Sequence, residues 1–115
     1  MHNFTKERMR RRWLPTVLAR IHELAAQRKV AFTLKALREL AALDMGLDEE
    51  DARQVLAKLA ASDFAQRLVS KKTGEWMYEF KPTVGEVILY VKVILGGNCV
   101  VISFHEEEDQ SDEYN

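Results

Sequence analysis

The spacing of apolar residues changes at "ASD" (61–63), and that change constrains the fold more than anything else in the chain. Before it, Leu14, Leu18, Ile21, Leu24 and Ala25 recur every three or four residues, the period of a helix packed on one side. After it, "EWMYEFKP", "EVILYVKVIL" and "CVVISFHEE" read at the two-residue period of strands. Helices first and strands afterwards predict an α+β chain, with N-terminal helices packed on a C-terminal antiparallel sheet of about four strands plus a short early strand.

The punctuation agrees. Pro15 suits a first helical turn, where its missing N–H is not needed, so the first helix is placed at about 15–28. "KVAF" (29–32) is the short extended piece. Thr33 reads as the cap of a second helix, "LKALRELAALD", with Leu34, Leu37, Leu40 and Ala41 as its apolar stripe. Gly46 ends that region, and Asp48 caps a third helix near 49–61, with Glu49, Glu50 and Asp51 at its positive end. The strands "FAQRLVSKK", "EWMYEFKP", "EVILYVKVIL" and "CVVISFHEE" are joined by Thr73-Gly74, Pro82 to Gly85, and Gly96-Gly97-Asn98. Links this short predict hairpins and a meander.

At 115 residues, 47% hydrophobic and 30% charged, the sequence is that of a soluble chain with one modest core. One domain is expected at 13–107, between a flexible basic arm (1–12) and a disordered acidic tail (108–115). No apolar run reaches the roughly 20 residues a membrane span needs. The N-terminal apolar stretch "LPTVLA" is cut short by Arg20, so it does not read as a secretory leader. A cytoplasmic location and no membrane partner are expected. The single cysteine, Cys99, excludes an internal disulfide and reads as an inert thiol.

Alternation then separates core from surface. Val87, Leu89, Val91 and Val93 should face the helices, which sends Tyr90 and Lys92 to the opposite face. In the last strand Val100, Ile102 and Phe104 share one face, and Val101, Ser103 and His105 the other. Parity leaves two orientations open for "EWMYEFKP", with the face of Trp76, Tyr78 and Phe80 the better core. One side of the sheet then gathers Glu79, Lys81, Tyr90, Lys92, Ser103 and His105, a polar and mainly cationic surface. A solvated sheet face contains the same residue types, so the bland reading stands beside the chemical one.

The chemical reading is metal-free cleavage of an RNA phosphodiester. A base must take the 2′-hydroxyl proton, an acid must protonate the leaving 5′ oxygen, and fixed positive charge must stabilise the phosphorane. Histidine suits the proton role because its unperturbed pKa of about 6.5 lies near working pH. Other chemistries fit worse. His22-Glu23 opens like a zinc-protease helix, but position 26 is Ala, and His2, His22, His105 and Cys99 have no metal-ligand spacing. No cofactor and no metal are expected. Trp13 and Trp76 read as core anchors rather than base-stacking platforms. The second and third helices suggest a helix-turn-helix, but the latter opens with "DEED", which phosphate would repel. Direct sequence-specific DNA binding is therefore not expected.

Taken together, "LARIHELAAQRKVAFTLKAL", "MGLDEED", "LAASDF", "GEWMYEFKP", "GEVILYVKV" and "VVISFHEEE" carry a family likeness. The chain resembles the MqsR-type mRNA interferases, toxins of bacterial toxin–antitoxin pairs with the RelE/ParE-like ribonuclease fold. The likeness covers about residues 18–107. Tyr90 and Lys92 match the family's Tyr-x-Lys strand, and Lys81 before Pro82 takes the arginine position of its Arg-Pro step. His105 stands at the lysine of the closing strand, and Met77 at a glutamine after the Trp. Ala65-Gln66 replaces a Tyr-Lys pair, while Arg67 and Lys71 remain as cations. The resemblance implies an endoribonuclease that cleaves mRNA, arrests growth and is neutralised by a cognate antitoxin. Tyr90 and His105 would move protons, Arg67, Lys81 and Lys92 would hold phosphate, and Lys71 and Lys72 would guide RNA. Two alternatives stay open: an RNA- or protein-binding module of the same fold with weakened catalysis, and a non-enzymatic interaction protein.

Overall fold

A computed structural model describes residues 11–108. Helix α1 spans Leu14–Ala26, α2 Leu34–Ala42 and α3 Glu49–Ala57. The strands are β1 (Val30–Phe32), β2 (Phe64–Val69), β3 (Trp76–Phe80), β4 (Thr83–Val84), β5 (Val87–Leu95) and β6 (Cys99–Glu106). Most of the expected basic arm and acidic tail lies outside the described residues. Arg11, assigned to the arm, is held over the Phe64 ring at 5.5 Å.

The fold is α+β with its helices N-terminal, as the change of period predicts. The sheet order is β1-β6-β5-β3-β2, with β4 paired to β5 alone. The four long strands form the expected antiparallel meander. β1 pairs parallel to β6, which makes the sheet mixed. Among the described residues, no helix is long and apolar enough to cross a membrane.

Packing rather than capping holds α1. Its N-cap, Trp13, makes no side-chain cap, yet Leu14, Val17, Leu18, Ile21, Leu24 and Ala25 are all buried. Full burial of a large aliphatic side chain contributes roughly 1.5–3 kcal/mol, so several together far outweigh the roughly 0.5–2 kcal/mol of a cap. The helix closes through Arg28 N–H to Ala25 O (3.1 Å) and Lys29 N–H to Leu24 O (2.8 Å). That is a Schellman turn with an arginine at the left-handed position (φ 60°), where glycine is usual.

Helix α2 corrects its predicted stripe. Ala36 and Leu40 are buried, but Leu34 is 61% exposed and Ala41 is also exposed. The rotation has a cause in hydrogen bonding. β1 ends at Phe32, leaving the outer edge of β6 without a strand partner beyond Val101. The Thr33 hydroxyl reaches Ile102 O (3.4 Å), and Glu39 Oε1 accepts the Phe104 N–H (2.9 Å). Side chains of α2 thus take the place of a missing strand, and the helix turns to meet them. Thr33 also accepts the Ala36 N–H (3.1 Å), the expected cap. We expect Thr33→Ala to lower stability by about 1 kcal/mol, read from the urea midpoint. Asp48 caps α3 in a reciprocal box with Asp51, but the helix ends at Ala57 rather than near 61.

The sheet core is Phe80, Leu89, Val91, Val93, Cys99, Val101 and Phe104, each fully buried. Val87 is only partly buried. The last strand departs from strict alternation. Lys92 pairs with Ser103 and Val93 with Val101, so Ile102 is an extra residue, a β-bulge. Val101 therefore faces the core, not the outer face expected of it, while Ser103 and His105 keep the outer face.

Candidate active site

Cross-strand pairing builds one polar row. Glu79 on β3 lies opposite Lys92 on β5, and Lys92 opposite Ser103 on β6. Gln66 on β2 extends the row beyond Glu79. One step along, Tyr90 lies opposite His105. These groups, with Lys35, Ala65, Lys81, Glu107 and Glu108, line a cavity of about 560 Å³. Four residues singled out from sequence, His105, Tyr90, Lys92 and Lys81, are brought together there.

Arg67, Lys71 and Lys72 are not. β2 carries its own bulge at Ala65, between the Phe64–Phe80 and Gln66–Glu79 pairs. Unbroken alternation would set Arg67 opposite in sense to Phe64 and so toward the cavity. The extra residue sends Gln66 there instead, and Arg67 joins Phe64 on the helix side. Its guanidinium lies 4.0 Å from the Trp13 ring centroid and 3.9 Å from that of Trp76. Such a sandwich anchors Arg67 away from the Tyr90–His105 pair. It also explains Trp76, which is 43% exposed rather than a core anchor. Lys71 and Lys72 are exposed in the β2–β3 turn.

The rings of Tyr90 and His105 stack at 4.9 Å with 14° between their planes. Stacked rings gain about 0.5–1.5 kcal/mol beyond area burial, enough to fix the imidazole's orientation. His105 Nδ1 lies 2.8 Å from the Glu106 carbonyl oxygen. A carbonyl only accepts, so Nδ1 carries the hydrogen and Nε2 of the neutral ring keeps a lone pair. The Tyr90 phenol is held well above its usual pKa, first by burial and then by the Glu79 carboxylate. It stays protonated and can donate.

The expectation of a mainly cationic face is corrected. Lys81 forms an ion pair with Glu107, and Lys92 with Glu79 at 3.8 Å. Glu79 is 3% exposed and also accepts a hydrogen bond from Gln66 (3.0 Å). Lys35 donates to Glu39 (2.8 Å) and to Ser103 Oγ (2.9 Å). Each lysine of the cavity therefore already faces a carboxylate. The site is a balanced mosaic of lysines and carboxylates.

The family model described as motility quorum-sensing regulator, toxin of MqsA, matches residues 15–106, from the first helix to the last residue of β6. The chain belongs to this toxin family. No curated protein matches it significantly. The family is one of toxins acting in toxin–antitoxin pairs, and in this MqsR-family member the matched region contains the cavity lining except Glu107 and Glu108.

Sequence reasoning about this MqsR-family chain missed Lys35 and Glu39. Their i,i+4 spacing was visible, but the side of α2 that faces β6 is set by hydrogen bonds, not by its apolar stripe. Burial pushes the Glu39 carboxyl upward, yet hydrogen bonds from Lys35 and the Phe104 N–H outweigh it and hold the carboxyl below its ordinary range. A carboxyl depressed in the folded state stabilises fully above its unfolded pKa, and that contribution disappears as pH falls through the folded value. Glu39→Gln, which keeps an acceptor for Phe104, is expected to flatten the acid side of the stability curve. Thermal midpoints of both forms from pH 6 down to pH 3 measure this.

The remaining titratable candidates are structural. Burial pushes the Cys99 thiol up to about 12, which leaves it unreactive. His22 Nε2 donates to Leu59 O at 2.7 Å, tying α1 to the end of the helical half. Among the described residues, no three His, Cys, Asp or Glu side chains come together as a metal site.

Proposed function

We propose that this chain is a metal-independent endoribonuclease that cleaves mRNA, arrests growth and is neutralised by a cognate antitoxin. The observation that carries the reading is the stacked Tyr90–His105 pair opening, with Lys81 and Lys92, into one cavity. His105 Nε2 takes the 2′-hydroxyl proton, which frees the oxygen to attack the adjacent phosphorus. Lys81 and Lys92 stabilise the charge that develops on the phosphorane oxygens. The Tyr90 phenol donates its proton to the departing 5′ oxygen and recovers it from solvent. Glu107 and Glu79 stay with Lys81 and Lys92, whose remaining ammonium N–H groups face the phosphate, and keep the empty cavity near neutrality. Lys71 and Lys72 guide the strand from the β2–β3 turn. The protein acts in the cytoplasm, where its substrate is.

The test is purified protein with labelled single-stranded RNA in EDTA, beside His105→Ala and Tyr90→Phe. Cleavage that resists EDTA and is lost in both variants supports the reading. Dependence on added Mg²⁺ overturns it. A second reading, an RNA-binding module with weakened catalysis, is favoured by the carboxylate partner beside every cavity lysine. It expects the same RNA to be bound and left intact. Coexpression with the product of a neighbouring reading frame tests the antitoxin, which should restore growth.

A further inference from the structure

The geometry points to Lys35 as a phosphate-binding residue of this cavity, gripping the RNA strand at a phosphate next to the one that is cleaved. This rests on the RNA-cleaving reading above and adds a residue to it.

Of the three cavity lysines, two are committed. Lys92 faces Glu79, whose side chain is 4% exposed, and moving it away would strand a buried carboxylate. Lys81 is engaged by Glu107, whose side chain is 22% exposed and whose backbone N–H is fixed to Ile88 O at 2.8 Å. The Lys35 side chain is 61% exposed, the most open of the three.

Its present partners are also the easiest to leave. The Lys35–Glu39 contact is an i,i+4 pair whose ammonium is largely in solvent while its carboxylate is 22% exposed, and pairs open on one side contribute little and are screened by salt. Glu39 does not lose its role when Lys35 turns away, because its other oxygen still accepts the Phe104 N–H. Ser103 Oγ, in a residue 3% exposed, steers the ammonium inward. A phosphate oxygen is therefore a better partner for this ammonium than the ones it has.

Position then decides which phosphate. Lys81 follows β3, and Lys92 lies at the middle of the row. Lys35 enters from α2 on the far side of Ser103, beyond β6. A strand whose scissile phosphate sits by Tyr90, His105 and Lys92 presents its next phosphate to Lys35.

The test uses a single-stranded RNA oligonucleotide carrying 2′-O-methyl groups throughout, which lacks the attacking hydroxyl and reports binding alone. Lys35→Ala is expected to weaken binding about tenfold at low salt. The slope of log affinity against log salt should fall by about 0.7, the value for one lost phosphate contact on a single strand. Lys35→Arg should keep both. Unchanged binding in Lys35→Ala overturns the proposal, and so does weaker binding with an unchanged slope, which marks a structural role. The wild-type chain separates the two levels. If it cleaves unmodified RNA while Lys35→Ala binds normally, only Lys35 is lost. If it neither binds nor cleaves, the nuclease reading falls and Lys35 with it.

Discussion

Replacing His105 by alanine is expected to slow RNA cleavage by roughly 10²–10⁴-fold, the usual range for loss of a positioned acid or base, with a modest loss of stability that leaves the protein folded. The two effects separate because of where the ring lies. It is partly buried at the cavity rim, stacked on Tyr90 and tied to the Glu106 carbonyl. Removing it forfeits one stacking contact and one hydrogen bond, about 1–2 kcal/mol together. The chemical step loses the imidazole lone pair that takes the proton. Single-turnover cleavage at saturating enzyme, beside a thermal melt, measures both. A variant that still cleaves within a few-fold of wild type would remove His105 from the mechanism.

The second large effect is on folding. Phe80→Ala should destabilise the protein by about 3–5 kcal/mol, a large part of the roughly 5–15 kcal/mol a domain usually has. Phe80 is fully buried and meets Phe64 edge-on at 5.6 Å. It lies between Glu79 and Lys81, which face the cavity, so the void it leaves undermines the wall of the site from behind. Equilibrium urea unfolding gives the value. A loss below about 1 kcal/mol would mean that the aromatic face of β3 is not the core.

Much of this was legible because β5 alternates without interruption. Its apolar set fixed the inner face, and Tyr90 and Lys92 followed to the outer one, with His105 opposite. The Thr33 cap and the hairpin links could be read from local chemistry alone. What could not be read was of two kinds. Both bulges lie where an apolar residue, Ala65 or Ile102, can be added without breaking the pattern, so Val101 was set on the wrong face and the turning of Arg67 away from the cavity could not be foreseen. The other kind depends on contacts distant in sequence. The parallel pairing of β1 with β6, the turning of α2, and the carboxylates facing Lys81 and Lys92 come from partners that no short window contains.

The extra residue at position 102 makes β6 two half-strands written out of phase. The first half keeps the interior dry through Cys99 and Val101; the second offers Ser103 and His105 to whatever enters from outside. Exchanging Ile102 for another side chain leaves this frame intact, whereas deleting it would trade the places of Phe104 and His105 in one step. In this strand the count of residues, more than their identity, decides whether the imidazole meets water or hydrocarbon.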